Sequence, residues 1–310
     1  MLSNNTAEND IMTLVPFDDR DGCIWWNGSL VPWRDARPHV LSHGLHYASA
    51  VFEGERAYSG NIFRLRDHTD RLLGSARILG FDIPWTAEEI DAACQQVLTA
   101  NGLTDGYVRP IAWLGSEMLG ISPTGASVQL AIAAWAWPSY YGDDRMRGIR
   151  MGEAVWKRPS PDTAPTMAKC SSLYTIGSMS KRRAEAEGYS DALMLDWRGL
   201  VAETTSANVF FVIDGALHTP TPEGFLDGIT RRTVMALARH NRMTAIERPI
   251  EAAEIALASE VFLAGTAAEV TAVREIGPHC YTPGRITETL MRGYADLVAQ
   301  TPAEVARVLA

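Results

Sequence analysis

The sequence predicts a two-domain α+β protein, and three observations carry that expectation. In the first third, tight-hairpin signals are followed by two helical segments, so strands and helices are segregated rather than alternating as βαβ units. PSYYGDDRMRG, residues 138–148, then breaks the pattern with proline, glycine and mixed charge. Beyond it, hairpins and helices mix in a second unit. The expected division is a small α+β domain over 1–137, with 1–22 as a polar flexible tail, a linker over 138–148, and a larger mixed domain over 149–310.

Taken in order, CIWWNGSLVPW reads as two strands around Asn27-Gly28, the dipeptide that suits a two-residue turn with positive φ at both positions. VFEGERAYSGNIFRL repeats the pattern around Ser59–Asn61. RDHTDRLLGSARILG carries Leu72, Leu73, Ala76 and Leu79 at helical spacing and stops at Gly80. Thr86 and Glu89 form a capping box that opens a second helix, ending near Asn101-Gly102. YVRPIAWLG and SVQLAIAAWAW follow as strands. In the second unit, IRMGEAVWKR is strand-like, and a helix is expected over 173–187, ended by Gly188. Hairpins should turn at Asp196–Gly199 and Asp214-Gly215, and a helix should begin near Ile229–Thr230. EVFLAGTAAEVTAV reads as strand, small-residue turn and strand, and RITETLMRGYADLVAQ as a closing helix.

Composition narrows the function. A net charge of −9 argues against nucleic-acid or anionic-lipid binding through a basic surface. The longest apolar runs, such as 128–137, are too short to span a bilayer. The N-terminal stretch lacks the basic and apolar regions of a secretory signal. Four scattered cysteines with no CxxC suggest neither a zinc site nor a disulfide framework, and a cytoplasmic location is expected.

Several residues could carry chemistry. Lys169, in PTMAKCSSLYTIGSM, lies among small, apolar and hydroxyl residues with no acidic neighbour. In such a setting a lysine loses solvation for its charged form and becomes a nucleophile, although a lysine snorkelling from the edge of an element reads the same way. GFLDGITRR places glycine and Thr230 at a helix start, where free N–H groups favour an anion. AGTAAEV, with Thr266, is a second turn that could share one phosphate. Neither a P-loop nor a GxGxxG is present. Glu203 ends an apolar strand, where a carboxylate can orient a protonated ring nitrogen. His43 and His46 have no convincing third ligand and read as structural. Tyr107 and Arg109 share one face of a strand, an arrangement suited to carboxylate recognition.

Read together, these segments resemble the branched-chain aminotransferases of the fold-type IV pyridoxal-phosphate enzymes. The likeness runs from about Ile24 to Val298 through WNGSLVPWRDARPHVLSHGLHYASAVFEGERAY, RDHTDRL, GYVRP, PTMAKCSSLY, LVAETTSANVFF, FLDGITRR and FLAGTAAEVT. It implies a small α+β domain beside a larger, mixed, barrel-like β domain with helices, the fold of the D-amino-acid aminotransferases. It also implies pyridoxal 5′-phosphate as cofactor and ping-pong transamination of leucine, isoleucine and valine with 2-oxoglutarate, giving branched-chain 2-oxo acids and glutamate.

Residue by residue, the resemblance makes Lys169 the Schiff-base lysine and the catalytic residue. Tyr174 matches the tyrosine on the cofactor phenolic oxygen, and Glu203 the acid on the ring nitrogen. Arg71, Ile229, Thr230 and Thr266 match the phosphate contacts, and Leu226 the leucine on the ring face. Tyr107 and the amides of Thr266 and Ala267 are implied near the α-carboxylate, and Arg109 near the distal carboxylate of glutamate. Phe52, Trp137, Tyr140 and Ala268 match the side-chain pocket. Tyr47 and Ile121 match positions reached from a partner subunit, so a homodimer or higher homo-oligomer is implied. One departure stands out: in TTSAN, Ala207 replaces a second glutamate that many family members carry. D-amino-acid or amine aminotransferases and aminodeoxychorismate lyases share the fold and vary here; Tyr107-x-Arg109 and GTAAEVT favour the branched-chain group.

Overall fold

The computed structural model describes residues 15–137 and 145–309. Its first sheet is antiparallel and seven-stranded, in the order β2-β1-β7-β6-β4-β5, with β3 also on β6. The strands are β1 (Cys23–Trp26), β2 (Ser29–Pro32), β3 (Ala50–Phe52), β4 (Glu55–Tyr58), β5 (Asn61–Ile62), β6 (Gly106–Leu114) and β7 (Val128–Trp135). Asn27 and Gly28 both have positive φ, 46° and 103°, as a two-residue turn matching the strand twist requires. A short α1 (His43–Tyr47) precedes β3, and α2 (Leu65–Ile78) and α3 (Ala87–Ala100) cover one face of the sheet. The expected capping box opens α3: Thr86 accepts from the Glu89 N–H, and the Glu89 carboxylate accepts from the Thr86 N–H. Leu72, Ile90, Val97, Val108 and Leu130 are fully buried between helices and sheet.

The second sheet has nine strands in the order β10-β9-β8-β15-β14-β11-β12-β13, with β16 on β15. They are β8 (Ile149–Glu153), β9 (Asp191–Leu195), β10 (Val201–Thr204), β11 (Asn208–Ile213), β12 (Ala216–Pro220), β13 (Ala245–Arg248), β14 (Glu260–Gly265), β15 (Glu269–Ile276) and β16 (His279–Cys280). It is mixed: β8 runs parallel to β9 and β15, and β12 parallel to β13, while the other pairs are antiparallel. Its helices are α4 (Ser171–Ala186), α5 (Ile229–His240), α6 (Arg285–Val298) and α7 (Pro302–Leu309). Phe210, Val234, Leu237, Phe262 and Leu290 pack α5 and α6 on one face. Met151, Val209, Phe211, Leu263 and Val273 fill the other.

The expected helices and hairpins appear near their expected bounds. Four elements have no counterpart in the sequence reading: the five-residue α1, the two-residue β16, β13 and α7. β13 carries no run of apolar alternation, since it pairs only at the sheet edge with two of its four residues exposed. α7 begins at Pro302, a residue that suits the first helical position, and buries only Val305 fully. Of the expected linker, residues 138–144 lie outside the described residues, as do 1–14 of the expected tail; 145–147 form one turn of 3-10 helix.

Candidate active site

Lys169 lies at the seam between the two sheets, two residues before α4. Its N–H donates to the Ser75 hydroxyl on α2 at 2.9 Å, and its carbonyl accepts from the Phe52 N–H on β3 at 3.0 Å. Cys170 bridges to Val51 and is fully buried. The lysine backbone is thus fixed by the first sheet although its helix belongs to the second. Its Nζ donates to the Tyr174 hydroxyl at 2.6 Å and lies 5.0 Å from the centre of the Phe52 ring.

Two chambers meet at this amine. The first is a cleft of about 620 Å³, solvent at its mouth included. Arg71, Lys169, Tyr174, Glu203, Leu226, Ile229, Thr230 and Thr266, the residues expected to hold a cofactor, all line it. At one end, α5 offers the free N–H groups of its first turn. Gly228 is needed there because a Cβ would come within 2.1 Å of the Asn208 Oδ1, and Asn208 in turn donates to the Leu226 carbonyl at 3.0 Å. Arg71 enters with its orientation set: Nε and Nη2 donate to Glu53 at 2.6 and 2.8 Å. Glu53 is fully buried and also accepts from His68 at 2.7 Å. Burial works against the Glu53 carboxylate, but Arg71 and His68 together hold it far below the usual carboxylate range. Burial lowers the pKa of His68 against the opposing pull of Glu53.

At the other end, Glu203 faces Arg158 at 3.3 Å, with side chains 12% and 7% exposed. Burial pushes the Glu203 carboxyl up to about 7, opposed by Arg158 and Lys169 and reinforced by Asp191. Ala207, where the resemblance places a second glutamate, lets Gly265 approach closely: a Cβ on Gly265 would lie 3.1 Å from the Ala207 Cβ.

The second chamber holds about 890 Å³, solvent included, and is lined by Phe52, Gly54, Tyr107, Arg109, Trp137, Thr266, Ala267 and Ala268. Seven of these are the expected substrate residues. Lys169, Tyr174, Ser206 and Gly265 complete the lining, and Gly54 is required by its neighbour: a Cβ there would come within 1.9 Å of the Tyr107 hydroxyl. Arg109 donates to that hydroxyl at 3.2 Å and stacks on Phe52, and its buried Nε has no hydrogen-bond partner. Tyr140 lies outside the described residues. Tyr47 and Ile121 line neither chamber and are 43% and 82% exposed. His43 is buried and contacts Ser49 and the Gly120 carbonyl, while His46 contacts the Val40 carbonyl. Among the described residues no His, Cys, Asp and Glu group could hold a metal, and no helix is long and apolar enough to cross a membrane.

Sequence reasoning missed Glu53, Gly54, Arg158 and Asn208. Glu53 and Gly54 had a local signal in FEG, an acid and a glycine beside a strand. Arg158, in KRPSP, had none, because its partner arrives from another strand.

The fold and this two-chambered cleft define a class IV aminotransferase, and the chain belongs to that family: the model for amino-transferase class IV matches residues 50–276. Within it, the branched-chain-amino-acid aminotransferase of Pseudomonas aeruginosa is 40% identical over 289 residues, covering 91% of this chain and 94% of that protein. Among solved structures, the T.th. branched-chain amino acid aminotransferase complexed with N-(5′-phosphopyridoxyl)-L-glutamate superposes with a TM-score of 0.88 at 35% identity, over 93% of this chain and 97% of that one. The branched-chain aminotransferase of Thermoproteus uzoniensis with norvaline gives 0.86 at 37% identity, over 90% and 95%. The fold is therefore that of the fold-type IV enzymes, an antiparallel small sheet domain beside a mixed, curled half-barrel domain.

Proposed function

We propose that this protein transfers the amino group of branched-chain L-amino acids to 2-oxoglutarate with pyridoxal 5′-phosphate as its cofactor. The observation that carries the reading is the meeting of an anion-binding cleft and an apolar, arginine-capped chamber at one amine, the Lys169 Nζ. The full-length likeness to branched-chain aminotransferases supports the substrate class.

The residues of the first chamber fit the cofactor. The α5 N-terminus, Arg71 and Thr266 would take a phosphate, Leu226 a ring face, Tyr174 a phenolic oxygen and Glu203 a ring nitrogen. When bound, pyridoxal phosphate supplies an aldehyde carbon that carries the amino group and a ring that withdraws electrons from the substrate α-carbon. The protein does the rest. Lys169 would hold the cofactor, and its freed amine would serve as the general base and acid that moves a proton at the substrate α-carbon. Tyr174, 2.6 Å from its Nζ, fixes where the amine points. Arg158 favours the ionised form of Glu203, which can then keep a ring nitrogen protonated.

In the second chamber, Tyr107 and the 266–267 amides would hold the α-carboxylate. Phe52, Trp137 and Ala268 offer apolar surface to an aliphatic side chain. The Arg109 guanidinium, which lines this chamber, would meet the distal carboxylate of glutamate or 2-oxoglutarate in the other half-reaction. One chamber thereby serves both substrates in turn.

The groove lined by Trp26, Leu45, Ile111 and Trp113 is the face we assign to a second copy of the chain. Leu45 and Ile121 are 66% and 82% exposed on this copy. The domain boundaries given above are part of the same reading, as is a reducing cytoplasm, which the four free cysteines support.

An absorbance titration tests the activity. L-Leucine should bleach the yellow band of the holoenzyme and 2-oxoglutarate should restore it, while D-alanine leaves it unchanged. Bleaching by D-alanine alone would overturn the substrate class, and the absence of any band after added pyridoxal phosphate would overturn the cofactor.

A further inference from the structure

The hairpin between β14 and β15 turns through 266–268, with Gly265 opposite Glu269 across the register. Three-residue hairpin loops are commonly followed or closed by a residue in the left-handed region, a place that suits glycine. Here that residue is Glu269, at φ 51°. A side chain with a Cβ is disfavoured in this conformation and persists only where its surroundings over-determine it.

They do so through the carboxylate, in a residue only 8% exposed. Oε1 accepts from the Tyr58 hydroxyl at 2.8 Å and faces Nη2 of Arg56 at 3.8 Å. Oε2 takes Nη1 of Arg145. Tyr58 and Arg56 both belong to β4, and Arg56 lies directly opposite Tyr107 on β6. Arg145 is the first described residue after the segment that connects the two sheets. One carboxylate on the second sheet is therefore tied to the strand pair that carries Tyr107 and Arg109 and to the connection between the sheets. From the other side, the Thr271 hydroxyl donates to the Ala268 carbonyl at 2.7 Å and holds the turn to its own strand.

The turn and the Tyr107–Arg109 strand both line the second chamber but belong to different sheets, and among the described residues no strand pairing joins them. We propose that Glu269 is a positioning residue that sets the distance between these walls, so that the 266–267 amides and Tyr107 grip one carboxylate together. The inference rests on the second chamber being the carboxylate-binding half of an aminotransferase site. Glu269 itself touches no substrate.

The test is carboxylate binding to the holoenzyme, with 4-methylvaleric acid as a non-reacting probe read through the cofactor absorbance band. Glu269→Gln keeps the size of the side chain but removes the charge. It should weaken probe binding about tenfold or more, with the affinity for pyridoxal phosphate changed less than about threefold. Glu269→Gly relieves the left-handed backbone but removes the tie, and should weaken the probe as much. Tyr58→Phe removes one hydrogen bond and should give a smaller loss in the same direction. The double variant Glu269→Gln/Tyr58→Phe should bind no worse than Glu269→Gln alone.

Unchanged probe affinity in Glu269→Gln would overturn the inference. So would recovery of wild-type affinity by Glu269→Gly, which would make the residue a matter of backbone conformation only. An equal loss of pyridoxal phosphate and probe would do the same. Should Glu269→Gln fail to fold, unchanged probe affinity in Tyr58→Phe overturns it. Reactivity of the wild type with L-leucine is scored separately: its failure would sink the substrate reading while the probe measurement still decides the role of Glu269.

Discussion

The two chambers that meet at Lys169 are built on opposite plans. In the first, the charged groups have protein partners in place: Arg71 on Glu53, Glu203 beside Arg158, the Lys169 amine on Tyr174. In the second, the walls are aromatic. Tyr107 packs 5.2 Å from both Trp135 and Trp137, and the guanidinium there, Arg109, donates only to the Tyr107 hydroxyl and faces no carboxylate among the described residues, whereas Arg71 and Arg158 each face one. A permanent occupant rewards a shell that is oriented before it arrives, because no ordering remains to be done on binding. A chamber that must take an aliphatic side chain and then a carboxylate cannot satisfy its polar groups in advance without excluding one of the two.

The comparison breaks most sharply at the junction. Lys169→Ala removes the group that both chambers share. The L-leucine half-reaction, followed as a single turnover, should slow by about 10⁴-fold or more. Binding of 4-methylvaleric acid should stay within about threefold of wild type, since Tyr107, Phe52, Trp137 and the 266–268 turn, the proposed carboxylate and side-chain contacts, are untouched. A comparable loss of probe binding would mean that the lysine organises the substrate chamber as well, and the division into two plans would fail.

Arg109→Met separates the two occupants of the second chamber. The apparent KM for 2-oxoglutarate should rise by about 10²-fold, the scale expected for losing one partner of a desolvated charge pair. That for L-leucine should move less than about threefold, because an aliphatic side chain meets Phe52, Trp137 and Ala268. Equal changes for both substrates would place the arginine on the α-carboxylate instead.

The two plans also differ in how far the sequence revealed them. Hairpins at Asn27-Gly28 and Asp214-Gly215 and the Thr86–Glu89 capping box were legible because each depends on residues within a few positions of one another. Lys169 stood out because its neighbours lack charge, and the resemblance then named residues that line both chambers, eight in the first and nine in the second. What stayed hidden is the layer behind those walls. Glu269 binds Tyr58 from 211 positions away, and Arg158 reaches Glu203 only after β9 and β10 pair. Those roles come from the assembly of two sheets, and no local pattern in GTAAEV or KRPSP encodes them. β13 was missed for a related reason: an edge strand with no buried residue has no periodicity to show.

The most subtle consequence of the first chamber's plan is a cost carried by the cofactor-free protein. Glu203 is buried in readiness for a ring nitrogen, and its pKa rises from 4.5 to about 7, chiefly through desolvation against the pull of Arg158 and Lys169. Because the folded value lies above the unfolded one, the folded cofactor-free chain holds a proton that the unfolded chain has released. The associated stability is fully present below about pH 4.5 and is lost as pH rises through about 7. Between about pH 5 and pH 7 the loss should be about 2 kcal/mol. Glu53, held ionised by Arg71, contributes with the opposite sign at lower pH, where its stability is lost as pH falls through its depressed pKa. That term is common to the wild type and Glu203→Gln, so the difference between their denaturant midpoints isolates Glu203. Glu203→Gln should flatten the decline across this window. Parallel pH profiles for the two proteins would show that water already solvates this carboxylate in the empty cleft, and that the first chamber is less fully prepared for its occupant than its charge partners suggest.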